Sequence, residues 1–325
     1  MAFARVSDGC QSPRRCPPPA LSWPDRRTDM SDPRSRSFTA ALALALAWGA
    51  WAGVATAQQK PPAGASRPQP PPQSSSQQQK PPQNAGRQQK KPASSEEDPR
   101  LQRALERAER HLLAYATADA RRALEPFVDR RPADPAVQTA FARVLLQEGA
   151  YEEAVERLEQ AIAGDRRNPE PYLYLGEAYQ RLERPGPARQ AFTQAKNRAA
   201  RLSEAEPQNA RAFYWLGAAQ LALGEHDAAL ASFEQARALD PSDPLPSFYA
   251  GTAYSAQQRW QQAVAQLDQA LAQNPAIALA YFFRGMAYGR LQRKAEMVRD
   301  LDRFLAMAPQ APEAEVARSI LATVR

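Results

Sequence analysis

Residues Trp215–Pro241 read WLGAAQLALGEHDAALASFEQARALDP, and residues Tyr249–Pro275, 34 positions further on, read YAGTAYSAQQRWQQAVAQLDQALAQNP. Most letters differ, yet the small, aromatic and proline positions fall in the same columns. Gly217, Gly251 and Gly285 are spaced by 34, as are Pro207, Pro241, Pro275 and Pro309. Phe233, Leu267 and Leu301 follow their glycines by 16, Ala229 and Ala263 by 12, and Ala236 and Ala270 by 19. A fixed period of this length marks a repeat architecture.

Walking towards the N-terminus, Gly176, Tyr179, Ala188, Phe192 and Ala195 continue the plan, then Ala142, Leu145, Ala154, Leu158 and Ala161, then Ala108, His111, Ala120, Leu124, Phe127 and Pro132. Six repeats follow, at 101–134, 135–168, 169–209, 210–243, 244–277 and 278–311. Each reads as two amphipathic helices. Phe213, Leu216, Gly217 and Gln220 share one face of the first helix, and Ala229, Phe233 and Ala236 share one face of the second. Gly149 and Gly224 stand where first helices should end in a left-handed residue. The third repeat has 41 residues, and the seven added ones amount to about two helical turns, ~10.5 Å. Pro126, inside the second helix of the first repeat, predicts a kink there.

The series Phe213, Leu216, Gly217, Ala229, Phe233, Ala236 and Pro241 resembles the tetratricopeptide repeat, and the resemblance spans residues 101–311. Gln220 stands where that family usually has Tyr, Arg166 where it has Pro, and Met297 where it has Ala. The resemblance implies an all-α fold, a right-handed α-solenoid of helix-turn-helix repeats serving as a protein-interaction scaffold. Such units cannot bury their own faces, so the last one needs a cover. Residues 312–325, PEAEVARSILATVR, predict a capping helix with Val316, Ile320 and Leu321 inward and Glu313, Glu315 and Arg318 outside. The family also implies that first helices line a concave groove. Repeats four to six then offer it Tyr214, Leu221, Phe248, Phe282 and Met286, and repeats two and three offer Arg143, Glu177, Gln180 and Arg181. An apolar floor with charged flanks suits a peptide, unless these side chains pack against neighbouring first helices instead. The Lys and Asn set with which some members clamp a terminal carboxylate has no counterpart at these positions.

Composition divides the chain. The 30 prolines cluster before residue 100, and both cysteines, Cys10 and Cys16, precede Met30. Residues 99–325 hold 29 of the 42 Lys and Arg residues and 28 of the 35 acidic ones, so the repeats are nearly neutral and a cationic nucleic-acid-binding domain is not indicated. From Met30 a basic leader, MSDPRSRS, precedes the apolar run FTAALALALAWGAWAGV and the small-x-small tripeptide Ala55–Thr56–Ala57. This reads as a secretory signal peptide at 30–57, cleaved between Ala57 and Gln58, and the rival is an uncleaved anchor at 38–54. Residues 1–29 form no recognisable element and read as an untranslated or disordered extension. Residues 58–98, rich in Pro and Gln, predict a disordered linker, and as a flexible coil these 41 residues would span about 35 Å.

No catalytic constellation is indicated. The two histidines, His111 and His226, fall in a packing column and in a turn, and Glu152 with Glu153, and Asp300 with Asp302, have the spacing of solvated helix faces. HExxH, CxxC, GxSxG and phosphate-cradling glycine loops are absent from the repeats. The sequence therefore predicts a secreted, periplasmic scaffold without metal or cofactor, whose partner is another protein or peptide of the cell envelope. Membrane contact would run only through the N-terminal segment. The alternatives are a membrane-anchored assembly component and an accessory subunit of an envelope enzyme complex.

Overall fold

The computed structural model describes residues 98–324. The expectations for the extension, leader, anchor, cleavage site and all but the last residue of the linker lie outside the described residues. Asp98, assigned by composition to the linker, belongs to the fold. Its carboxylate accepts from the Arg100 N–H at 3.0 Å, capping the first helix, and pairs with Arg131 at 2.8 Å.

The described residues form thirteen helices and no strand. Twelve of them make six successive hairpins: α1 (Pro99–Leu113) with α2 (Thr117–Val128), α3 (Pro135–Glu148) with α4 (Tyr151–Gly164), α5 (Glu170–Arg181) with α6 (Pro185–Ala205), α7 (Ala210–Ala222) with α8 (His226–Leu239), α9 (Leu245–Ala256) with α10 (Trp260–Gln273), and α11 (Ala278–Arg290) with α12 (Lys294–Met307). The last, α13 (Ala314–Val324), follows them. Substantial packing joins sequential helices and the first helices of adjacent hairpins, which is the connectivity of an α-solenoid.

One feature recurs in every hairpin. Tyr115, Gly149, Glu183, Gly224, Gln258 and Gln292 all have positive φ, between 56° and 81°, and are spaced by 34 except for 41 between Glu183 and Gly224. After each, the next N–H bonds to the carbonyl five residues back, as from Ala150 to Leu145 and from Arg259 to Tyr254, both at 2.9 Å. This is a Schellman ending, and it reverses the chain in two or three residues. A side chain in this conformation costs about 1–2 kcal/mol, less the entropy glycine loses on folding. Replacing exposed Gln258 and Gln292 by Gly is therefore expected to stabilise the domain by ~0.5 kcal/mol each, read as a raised denaturant midpoint.

The small column sets how closely the two helices of a hairpin approach. A methyl group placed on Gly217 would lie 2.7 Å from the Phe233 ring and 3.1 Å from the Ala229 carbonyl oxygen. At Gly176 it would lie 2.5 Å from Phe192, and at Gly251 2.6 Å from Leu267. Phe192, Phe233, Leu267 and Leu301 fill the space so created and are buried.

The added length of the third hairpin lies in α6, which has 21 residues against 14 in α4, α8, α10 and α12. Its extra turns bury Ala199 and Ser203, so they extend the packing. Helix α2 runs through Pro126 and stops two residues beyond it. At the C-terminal end Ala317 and Leu321 of α13 are buried in one apolar cluster with Leu301 and Phe304, with Val316 and Ile320 packed at its edge.

Two expectations are corrected. Glu313, expected outside with Glu315 and Arg318, is buried at 8 % exposure, because the residue before α13 points across the coil and not along the cap's outer face. Asp300, expected to be solvated, is 2 % exposed and receives the Arg284 guanidinium, with Nε at 2.6 Å and Nη2 at 2.9 Å. Glu152 and Glu153 are exposed in the first turn of α4, where carboxylates favour the helix dipole. His111 is half-buried, and His226, also half-buried, opens α8 instead of lying in the turn.

Candidate partner-binding face

The first helices of the hairpins turn one face towards the axis of the coil. Near its N-terminal half that face is polar. Arg143 of α3 lies 3.9 Å from Glu109 of α1 and 3.7 Å from Glu170 at the start of α5, with its guanidinium 4.9 Å from the centre of the Tyr174 ring. Arg211, at the start of α7, reaches Glu109 from the other side at 3.4 Å. Glu177 and Arg181 of α5 are 4.0 Å apart, and Arg181 also meets Glu313 at 3.8 Å.

Burial and charge oppose each other here. Burial pushes the Glu170 carboxyl above its usual range, and Arg143 and Arg211 only partly pull it back. Glu313 is raised in the same way, with Arg181 as the partial offset. Burial works against the charge on Arg143, but Tyr174, Glu170 and Glu109 outweigh it, so the guanidinium stays charged. Tyr174, Tyr214 and Tyr249 are all raised by burial and remain neutral phenols.

The sequence-predicted site divides in two. Arg143, Glu177, Gln180 and Arg181 are half-buried on or beside this polar face, and Glu177 is the most open of the three charged groups, with 43 % of its side chain exposed. The expected apolar floor is corrected: Leu221 is 0 % exposed, Phe282 3 %, Tyr214 5 % and Phe248 6 %. Tyr214 and Phe248 are covered by the next first helix, and Phe282 by Phe304 of α12 in its own hairpin, with ring centres 5.2 Å apart. Tyr214 meets Tyr249 edge-on at 5.6 Å, and Phe248 meets Phe283 at 6.0 Å. Met286 is half-buried against the C-terminal cluster. These side chains hold neighbouring repeats together, the outcome in which first helices pack too closely to leave an open floor.

Sequence reading missed Tyr174, Glu170, Arg211 and Tyr249. A signal existed for the tyrosines, because the position two before the glycine column is aromatic four times in succession, at Tyr174, Trp215, Tyr249 and Phe283. No comparable column marks Glu170 or Arg211. Among the described residues there is no group of three or more His, Cys, Asp or Glu placed to hold a metal ion, and no helix is long and apolar enough to cross a membrane.

The repeats have counterparts among known families and structures. Residues 142–183 match the family described as TPR repeat, and residues 169–242 and 221–282 match two described as tetratricopeptide repeat. Among solved structures, a thermophilic TPR protein of Thermus thermophilus is 26 % identical, with 59 % of this chain and 98 % of that chain covered and a TM-score of 0.46. YrrB, described as a TPR protein with an unusual peptide-binding site, is 21 % identical over 60 % of this chain and 97 % of its own, with a TM-score of 0.34. The first TPR of Spaghetti (RPAP3), solved with the HSP90 peptide SRMEEVD, is 25 % identical over 36 % of this chain and 93 % of its own, with a TM-score of 0.34. No curated protein matches the chain.

Proposed function

Because the chain is a tetratricopeptide-repeat protein, we propose that it is a non-catalytic scaffold of the cell envelope that receives a segment of another protein on the axial face of its coil. Tetratricopeptide repeats generally serve protein–protein interaction and peptide binding. The observation that carries the reading for this chain is the composition of that face. Arg143, Tyr174, Glu177, Arg181 and Arg211, drawn from α3, α5 and α7, gather guanidinium, carboxylate and phenol groups on that face. Such a surface fixes the register of a bound segment through charge and holds it through aromatic contact. The envelope location rests on the leader, apolar run and Ala55–Thr56–Ala57 site of residues 30–57.

A photo-activated cross-linking residue at Glu177, in the full chain in its native envelope, tests the reading. The control position is Glu156, exposed on the second helix α4. A discrete protein adduct is expected from position 177 and not from position 156. Adducts from 156 alone, or the same adducts from both, would place binding elsewhere on the coil.

A further inference from the structure

In a solenoid each repeat touches its neighbours and nothing beyond them. Helix packing in this chain follows that ladder, but two sets of side chains cross it. Glu109 of the first hairpin bonds Arg211 at the start of the fourth, 102 positions away, with Arg143 of the second lying beside Glu109. Arg181, at the end of α5, meets Glu313 just before α13. Beside it Tyr115, in the turn of the first hairpin, packs its ring against the apolar cluster of the C-terminal hairpin and α13. The two ends of the repeat array therefore meet.

The means of contact matters. The crossing is made by long side chains and one ring, without extensive packing of the helices that carry them. Arg211 keeps 58 % of its side chain exposed, and ion pairs at such positions contribute little individually. The Glu313 carboxylate is held at 3.8 Å, beyond hydrogen-bond distance, and its Oε2 has no hydrogen-bond partner among the described residues. Closure is thus a sum of small terms, of a size that a bound segment can exceed by favouring the open form.

We propose that Glu109–Arg211 and the Tyr115–Arg181–Glu313 contact form a latch that holds the coil closed end to end, and that a partner gains the axial face by parting it. The partner clause rests on the scaffold reading above, whereas the latch itself is a property of the chain alone. While closed, the coil covers Arg143 and Tyr174 and leaves Glu177 at the opening. A segment entering there replaces the cross-coil pairs with its own charges, so binding and separation of the ends are one equilibrium.

Distance measurement between spin labels decides the matter. Labels are placed through Ala118→Cys and Glu315→Cys, both exposed and flanking the second contact, in the full chain with Cys10→Ser and Cys16→Ser. The parent is expected to give one narrow short-distance population. Tyr115→Ala with Arg181→Gln is expected to lose it with helicity unchanged by circular dichroism, and Arg211→Gln, a rim change that leaves the core untouched, to weaken it through the other contact. A broad distribution in the parent overturns the latch. A distribution unchanged by Arg211→Gln and by Arg181→Gln, each made singly, overturns it as well, even if the double variant fails to fold. Opening in the variants without any adduct from position 177 would leave the latch standing and remove the scaffold reading; adducts without opening would do the reverse.

Discussion

Asp300→Ala is expected to lower the stability of the repeat domain by about 3–5 kcal/mol, read by denaturant unfolding. Asp300 is 2 % exposed and takes two hydrogen bonds from Arg284, whose side chain is only 15 % exposed. Burial works against the Arg284 charge, and the bonds and charges of Asp300 and then Asp268 outweigh it, holding the guanidinium above its ordinary range. Without Asp300 the guanidinium keeps one carboxylate, Asp268, at 2.7 Å and half-exposed, which stands on α10 of the preceding hairpin, and the faces of Tyr281 and Tyr288. The double change Arg284→Met with Asp300→Leu removes both charges and fills the space, and it should recover most of the loss. A loss under ~1 kcal/mol for Asp300→Ala would mean that the pair is solvated and that the C-terminal repeats are held by apolar packing alone.

The second large effect concerns the rings that the sequence placed on an open floor. Phe248→Glu with Phe282→Glu puts two carboxylates where the native rings are 6 % and 3 % exposed. Truncation of one such ring to Ala already costs about 3–5 kcal/mol, and an unpaired buried charge costs more. A whole domain holds only ~5–15 kcal/mol, so the last hairpins should not fold at ambient temperature. Solenoid stability is local, so α1–α6 are expected to persist, with residual helicity and a separate melting step. A variant that melts like the parent would show that these rings are not structural and would restore the open floor.

These two effects also mark where the sequence was readable. The 34-residue period survives because it is written in contacts within one hairpin: Gly217 must be small where Phe233 lies against it, and Gly251 where Leu267 does. Local geometry of that kind leaves a column in the text. Left-handed turns are only half-visible, since Gly149 and Gly224 announce them while Tyr115, Glu183, Gln258 and Gln292 adopt the same conformation without the signature residue. There the hydrogen bonds of the helix end impose a backbone that the side chain does not prefer.

Ion pairs that bury a charged side chain leave no trace in local spacing, whether made within one hairpin or across the coil. Asp300 and Glu313 both carry the pattern of a solvated helix face, and each is buried by a residue from another element, Arg284 in one case and Arg181 in the other. Whether Tyr214 or Phe248 is open or covered depends on how tightly successive first helices approach, which the period does not encode. The half-buried placement of Arg143, Glu177, Gln180 and Arg181 on the first helices follows from helix register alone, and their part in binding is a proposal.

Binding of a partner on the axial face is tested most directly by hydrogen exchange of the full chain, with and without the protein captured from position 177. Slowed exchange in α3, α5 and α7, with α4 and α8 unchanged, is the predicted result. Protection confined to the second helices, or to the outer face of α13, would contradict it.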